Sequence, residues 1–349
     1  MSNSEFTLVD HEVSMAMLQA SMKRVGAQMT PDKFVRSVSN AYHEVEANRH
    51  AIDMHAYFRG SGGYKVFKEA LIAAKSAIQG PVSILNIGCG AGYDLEVLRE
   101  VFPSEAVRKV VCCDISADML SLARERANGY PCRFLLSPAN EALVYGPYDL
   151  VVTHAMIKHV PNLKAFFQTV EEAIVPGGGL VTGHEPNQRY WTNAECMQVF
   201  QKVRISLRRR RNRKKLVDPS RYLFRVARLV GMADDVSLES KVNTILRERT
   251  GLKGDLTAQE IRRLVDVHVP DWFTGNFKIG LDGFDWEMLQ KEFLKRFEMA
   301  WVGTSGYLGP AVSSTDMPKY WQQVNDELAA KYPFDGSNFS AFWRKRDKQ

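Results

Sequence analysis

The residues best suited to chemistry lie in the run Ile84-Leu85-Asn86-Ile87-Gly88-Cys89-Gly90-Ala91-Gly92 and, one strand later, at Asp114. An apolar strand leads into a glycine-rich loop, and the loop into a helix. Where no Cβ intervenes, a ligand's polar atoms can reach the backbone, and a helix start offers them free N–H groups. Gly88, Cys89, Gly90 and Gly92 are therefore candidate contacts for a nucleotide-like ligand. The next apolar run, Val110-Val111-Cys112-Cys113, ends in Asp114, where a carboxylate can accept hydrogen bonds from both hydroxyls of a ribose.

Further candidates cluster after two later strands. Thr153-His154-Ala155-Met156-Ile157-Lys158-His159 ends one of them, and places Thr153 and His154 where a cofactor cavity would open. His154 and His159 have the proton affinity of a general base, and each is equally readable as a structural hydrogen-bond partner. Glu185, in His184-Glu185-Pro186-Asn187, is placed to hold an amine or accept a proton. Tyr190 and Trp191 either wall an acceptor pocket, with Tyr190 also a catalytic candidate, or pack a helical cap on the sheet. Tyr42, His43, Tyr57 and Tyr64 are weaker acceptor-side candidates from the N-terminal region.

These residues need a scaffold, and the hydrophobic periodicity supplies one. Residues 11 to about 58 read as helices, with Met15, Met17, Leu18 and Met22 at helical spacing and Thr30-Pro31-Asp32 opening a second helix. The run Phe58-Arg59-Gly60-Ser61-Gly62-Gly63 breaks the pattern, and Val66 to Ile78 resumes it. Strands follow at Val82–Ile87, Lys109–Cys113, Cys132–Leu136, Tyr148–Thr153 and Gly179–His184, separated by helices at Ala91–Val101, Ala117–Ala127 and Leu163–Ile174 and by a Pro176-Gly177-Gly178-Gly179 turn. Alternation of this kind requires parallel pairing with right-handed crossovers, and so a doubly wound α/β sheet with helices on both faces.

From Tyr190 to Val267 only helices are expected, at Tyr190–Arg211, Ser220–Val230, Ser237–Arg249 and Thr257–Val267, the last opened by a Thr257-Ala258-Gln259-Glu260 capping box. Such an insertion reads as a cap over the carboxyl ends of the strands. A helix at Asp285–Phe297, a strand at Glu298–Tyr307, a helix at Pro318–Tyr332 and a strand at Phe339–Arg344 complete a mostly parallel seven-stranded sheet with closing antiparallel strands. The implied division is a helical cover over 1–80, a binding core over 81–186, a cap over 187–283 and core completion over 284–349.

Composition sets outer bounds. At 349 residues, 45% hydrophobic and 25% charged, the chain can bury a substantial core. No apolar run approaches the roughly 20 residues of a membrane helix, and the start shows no secretion signal, so the expected setting is cytoplasmic with no membrane partner. Five cysteines, two of them adjacent at Cys112 and Cys113, suit neither paired disulfides nor a metal site, and no metal is expected. The net charge of +6 is local: Arg208–Arg211, Arg213, Lys214 and Lys215 carry seven of the 46 basic residues, leaving 39 against 40 acidic. A single cluster reads first as a solvated helix face, which argues against a nucleic-acid partner.

Nicotinamide dinucleotides and S-adenosylmethionine both suit the loop and Asp114. The sequence here resembles class I S-adenosylmethionine-dependent methyltransferases, in particular the small-molecule group called type 11. The resemblance rests on Ile87-Gly88-Cys89-Gly90-Ala91-Gly92, Asp114-Ile115-Ser116-Ala117-Asp118-Met119-Leu120, Tyr148-Asp149-Leu150-Val151-Val152-Thr153-His154 and Val175-Pro176-Gly177-Gly178-Gly179-Leu180. It implies a Rossmann-like fold with S-adenosylmethionine as cofactor. Gly88 and Gly90 would face the methionine part, Asp114 the ribose diol, Ile115 and Met119 the adenine, and Asn140 the adenine amine. The loop Ser137-Pro138-Ala139-Asn140 departs from the family's frequent acidic residue, and core packing accounts equally well for Ile115 and Met119.

The leading expectation is O-, N- or C-methylation of a small molecule, in secondary metabolism. One alternative makes S-adenosylmethionine the substrate, cyclised to azetidine-2-carboxylate with release of methylthioadenosine. Another is an RNA methyltransferase that uses the 208–215 cluster. The oligomeric state is not legible.

Overall fold

The computed structural model describes residues 12–50, 61–160, 162–217, 237–266, 283–310, 312 and 318–347. Its centre is a seven-stranded sheet made of β1 (Val82–Ile87), β2 (Val107–Asp114), β3 (Cys132–Leu136), β4 (Tyr148–His154), β5 (Ile174–Pro186), β6 (Phe297–Ser305) and β7 (Asn338–Lys345). The order is β3-β2-β1-β4-β5-β7-β6. β1 to β5 pair in parallel, and β7 runs antiparallel to both of its neighbours, β5 and β6. β6 is thus parallel to the core, and β7 alone is reversed. The tips of β1, β2, β4 and β5 meet along one edge of the sheet, where a switch in strand order opens a crevice.

Helices cover both faces. On one side α3 (Gly62–Ala77), α4 (Tyr93–Val101) and α5 (Ala117–Ala127) pack on Ile84, Val110, Val152 and Val181. In α3 the buried Phe67, Ala70, Leu71 and Ala74 fall at helical spacing, the stripe a sheet-packed helix needs. On the other side lie α6 (Ala139–Leu143), α7 (Leu163–Ala173) and α12 (Trp286–Glu292), packed with Leu85, Val151 and Leu180.

The remaining helices form two satellites. α1 (Glu12–Val25) and α2 (Pro31–His50) share a core with α10 (Leu238–Thr250) and α11 (Ala258–Val265) through Leu18, Phe34, Val38, Val242, Leu246 and Ile261. α11 begins with the expected capping box, Thr257 and Glu260 bonding reciprocally. The second satellite joins α8 (Gln188–Thr192) and α9 (Ala194–Val217) to α13 (Lys319–Lys331).

Several expectations are corrected here. The helix expected over Tyr190–Arg211 starts earlier and breaks at Asn193, whose Oδ1 accepts the N–H groups of Glu195 and Cys196 and caps α9. Pro176 to Gly179 is a register shift inside one long β5 rather than a turn before it: Ile174 opposes Tyr148 and Gly179 opposes Leu150. The helix expected over Asp285–Phe297 ends at Glu292, and Phe297 opens β6. The Ser220–Val230 helix lies outside the described residues.

Candidate functional site

The three loop glycines all have left-handed backbone, with φ of +67° at Gly88, +49° at Gly90 and +82° at Gly92. Their surroundings differ. A Cβ on Gly92 would sit 2.8 Å from Ala123 Cα, and one on Gly88 would sit 2.5 Å from Met156 Cγ, so these two allow close packing against α5 and the loop after β4. A Cβ on Gly90 would meet nothing within 4 Å. Gly90 is the loop residue whose bare backbone faces open space.

Asp114 fixes the loop from the side. Its Oδ2 accepts the Gly90 N–H and its Oδ1 accepts the Ser116 N–H, both at 2.9 Å. Burial raises the carboxyl above its ordinary value, against the opposing pull of the Ser116, Gly90 and Ile115 N–H groups. The loop is also hung from β2, with Gly88 N–H and Cys89 N–H donating to Cys113 O at 2.8 and 3.1 Å.

This end opens into a cavity of about 710 Å³, within the range typical of small-molecule sites. Its floor is Ile87 to Ala91, Asp114, Ile115, Met119 and the Ser137-Pro138-Ala139 turn. Its far wall is α2, through Arg36, Tyr42, His43 and Glu46, with His154, Lys158, His159, His184 and Asp266 between. α2, from the expected N-terminal cover, walls the cavity, while α10 and α11 of the expected insertion pack on α2 and the segment just past α11 contributes Asp266.

Of the candidate contacts, Gly88, Cys89, Gly90, Asp114, Ile115, Met119, His154, His159 and Tyr42 line the cavity. Cys89 and Met119 are also core residues, 3% and 4% exposed. Gly92 and Thr153 do not line it; Thr153 is fully buried between Ile87 and Thr182 in the sheet. Asn140 falls in α6, but its side chain lies outside the described residues, as does all of Tyr57.

Four candidates are placed elsewhere. Glu185 is fully buried, and its carboxylate accepts the N–H groups of Met156 and Ile157 at 2.9 Å and of Lys158 at 3.1 Å. Burial pushes its carboxyl up to about 7 despite these bonds. It clamps the turn after β4 rather than facing a substrate. Tyr190 and Trp191 pack with Phe200, Tyr307 and Leu328 in the α8/α9 satellite, because their apolar rings are buried by α13 rather than by the sheet edge. Tyr64 turns outward, its hydroxyl donating to Glu100 Oε2 at 2.7 Å.

The histidines form the polar centre of the far half. His159 Nδ1 lies 2.7 Å from Val265 O and 3.4 Å from Asp266 Oδ1, joining the loop after β4 to the end of α11. Its ring meets that of His43 edge-on at 5.3 Å, and His43 in turn meets Tyr42 at 5.4 Å. Burial lowers the His159 pKa, with Asp266 opposing. His154 and His184 stack at 5.8 Å, and burial holds His154 well below its ordinary value. Burial and the nearby Lys158 take His184 down to about 4.

His184, Lys158, Asp94 and Asp266 are cavity residues that the sequence candidates omit. His184 has φ +55° and sits in a β5 bulge, where Thr182 opposes Ala341 and Glu185 opposes Phe339. Bulges re-aim a side chain, and the left-handed backbone of a non-glycine residue is strained. Asp94 did leave a trace: with Leu98 and Val101 it falls on the buried face of α4, an odd place for a carboxylate.

A strand, glycine loop and helix with a carboxylate at the next strand tip, set at the switch point of the sheet, is the arrangement in which α/β domains bind nucleosides. Residues 84–178 match the family model of a methyltransferase domain. A malonyl-[acyl-carrier protein] O-methyltransferase of Anoxybacillus flavithermus is 32% identical over 99 residues, 28% of this chain and 36% of that protein. A trans-aconitate 2-methyltransferase of Rhodopseudomonas palustris is 35% identical over 111 residues, 31% of this chain and 41% of that protein. The chain spans between 36% and 55% of the length of the first such relatives. The solved structure of the plantazolicin methyltransferase BpumL in complex with SAH aligns over 95% of this chain and 99% of that chain, at 12% identity and a TM-score of 0.41.

Proposed function

We propose that the chain is an S-adenosylmethionine-dependent methyltransferase acting on a small molecule, with O-methylation the favoured transfer. The observation that carries this reading is the single cavity in which the open face of Gly90 and the strand-tip Asp114 lie at one end and the polar wall of α2, His154, Lys158 and His159 at the other. The residues present fit the cofactor: a backbone cradle that a Cβ would fill, a carboxylate for a ribose, and the apolar Ile115 and Met119 for a purine. When bound, it supplies an electrophilic methyl group on a sulfonium.

The chain's own part is alignment and exclusion of water. Gly88 and Gly90 present backbone to the methionine part, Asp114 takes the ribose hydroxyls, and Ile115 and Met119 flank the adenine. On the acceptor side we assign Tyr42 and His43 of α2 to the pocket wall. His159 is the candidate base, a cavity-lining imidazole oriented by the bond from its Nδ1–H to Val265 O. Residues 81–186 and 284–349 then form the catalytic core, with 1–80 and 187–283 its cover.

The O-methyl preference draws on the malonyl-[acyl-carrier protein], trans-aconitate and ubiquinone-pathway relatives. No helix among the described residues is long and apolar enough to cross a membrane, and all five cysteines are free thiols, in keeping with a cytoplasmic setting. Calorimetric titration of the full chain with S-adenosylhomocysteine tests the cofactor half. One site per chain is expected, weakened about tenfold or more by Asp114→Ala; no binding to the unaltered chain sinks the reading.

A further inference from the structure

We propose that Asp94 binds the ammonium group at the amino-acid end of the cofactor, an assignment that rests on the S-adenosylmethionine site proposed above. Asp94 is the second residue of α4, directly after the glycine loop, and it lines the cavity. It is only 3% exposed, and neither carboxylate oxygen has a hydrogen-bond partner among the described residues. The carboxamide of Asn86 in β1 lies beside it, near enough to act on the carboxyl but in no well-formed hydrogen bond. A buried carboxylate that no cation offsets is costly to ionise, so it stays protonated or meets a cation.

Among the described residues, no cation is one of the groups that act on it. The influences on Asp94 are burial first, then the Asn86 carboxamide, the backbone N–H groups of Leu95 and Asp94 itself, and the like charge of Asp114 from β2; together they bring its carboxyl up to about 7. The missing partner is therefore a cation that arrives with the ligand and reaches the loop end of the cavity. With Asp114 assigned to the ribose, Gly90 and Asp94 are the neighbouring cavity residues left for the amino-acid end of the cofactor. A primary ammonium has N–H groups to satisfy the two carboxylate oxygens, whereas a sulfonium has none.

The test compares two defined ligands on the full chain. S-adenosylhomocysteine keeps the ammonium and lacks the sulfonium; methylthioadenosine keeps the adenosine and thioether and lacks the amino-acid end. Dissociation constants are measured by calorimetry for the unaltered chain, Asp94→Asn and Asp94→Ser, with the ligand-free melting temperature of each. Expected is a loss of about 30-fold or more for S-adenosylhomocysteine in both variants, with methylthioadenosine within about twofold. The melting temperature should hold or rise, since an unpaired buried charge is removed. Unchanged S-adenosylhomocysteine binding, or equal weakening of both ligands, overturns the assignment. If the unaltered chain binds neither ligand, the cofactor site itself fails and the assignment falls with it.

Discussion

At the residue scale, one glycine loop performs two jobs that substitution separates. Gly92→Ala places a methyl 2.8 Å from the Ala123 backbone at φ +82°, so it should act on the fold, at a cost of about 2 kcal/mol visible in the melting temperature. Gly90→Ala meets open space and carries only the left-handed penalty of about 1 kcal/mol, yet its methyl enters the cavity, so S-adenosylhomocysteine affinity should fall more than stability. Melting curves and calorimetry on the two variants check the contrast. Glu185 separates in the same way. Glu185→Gln leaves at least one of three buried N–H groups without its acceptor and should lower stability by about 2 kcal/mol. A general base would instead show lost turnover with an unchanged melting temperature. The sequence could name Glu185 but not its direction, since its partners lie 27 to 29 residues upstream and only the β4–β5 register brings them together.

At the scale of elements, the cavity wall depends on contacts between segments distant in the chain. α2 is held over the glycine loop by α10 and α11, and α11 is tied to α1 through Glu260, which accepts hydrogen bonds from Ser21 at 2.7 Å and Arg24 at 2.5 Å. Burial alone would raise the Glu260 carboxyl, but Arg24, Ser21 and Thr257 outweigh it and hold it at about 2. A carboxyl depressed on folding contributes stability that is complete above its unfolded value near 4.5 and fades as pH falls toward 2. Glu260→Gln should therefore flatten the acid limb of the stability curve between those values, as chemical denaturation at a series of pH values would read. An unaltered limb would show that the tie between α1 and α11 carries no stability. The strands themselves were legible: Val82–Ile87 and Cys132–Leu136 fall where predicted, the first because a strand buried on both faces reads as an apolar run. The cover was legible only as helices. Periodicity marks an apolar face on α2 and α11 but not its partner, so the packing of the expected N-terminal cover on the expected insertion was not legible.

At the scale of the whole molecule, a parallel sheet brings four strand tips to one edge, and a helical wall closes the space above them. That arrangement was foreseeable from the alternation of strands and helices; the strained His184 was not, because a bulge leaves no mark in hydropathy. The basic run of Arg208 to Lys215 lies in the later turns of α9, past Val203, the last buried residue of that helix within its described side chains, and Arg208 and Arg209 are exposed. Replacing the seven basic residues by glutamine should leave S-adenosylhomocysteine affinity within about twofold, since Arg208 and Arg209 are exposed and do not line the cavity. Loss of cofactor binding in that variant would place the cluster in the site. The central claim is that a methyl group passes from S-adenosylmethionine to a small acceptor. It is tested by mass spectrometry of the products formed by the purified full chain with S-adenosylmethionine, with and without a metabolite extract. The account predicts S-adenosylhomocysteine together with an extract component heavier by one methyl group, formed only when the extract is present. Release of methylthioadenosine from S-adenosylmethionine alone, with no methylated product, would contradict it.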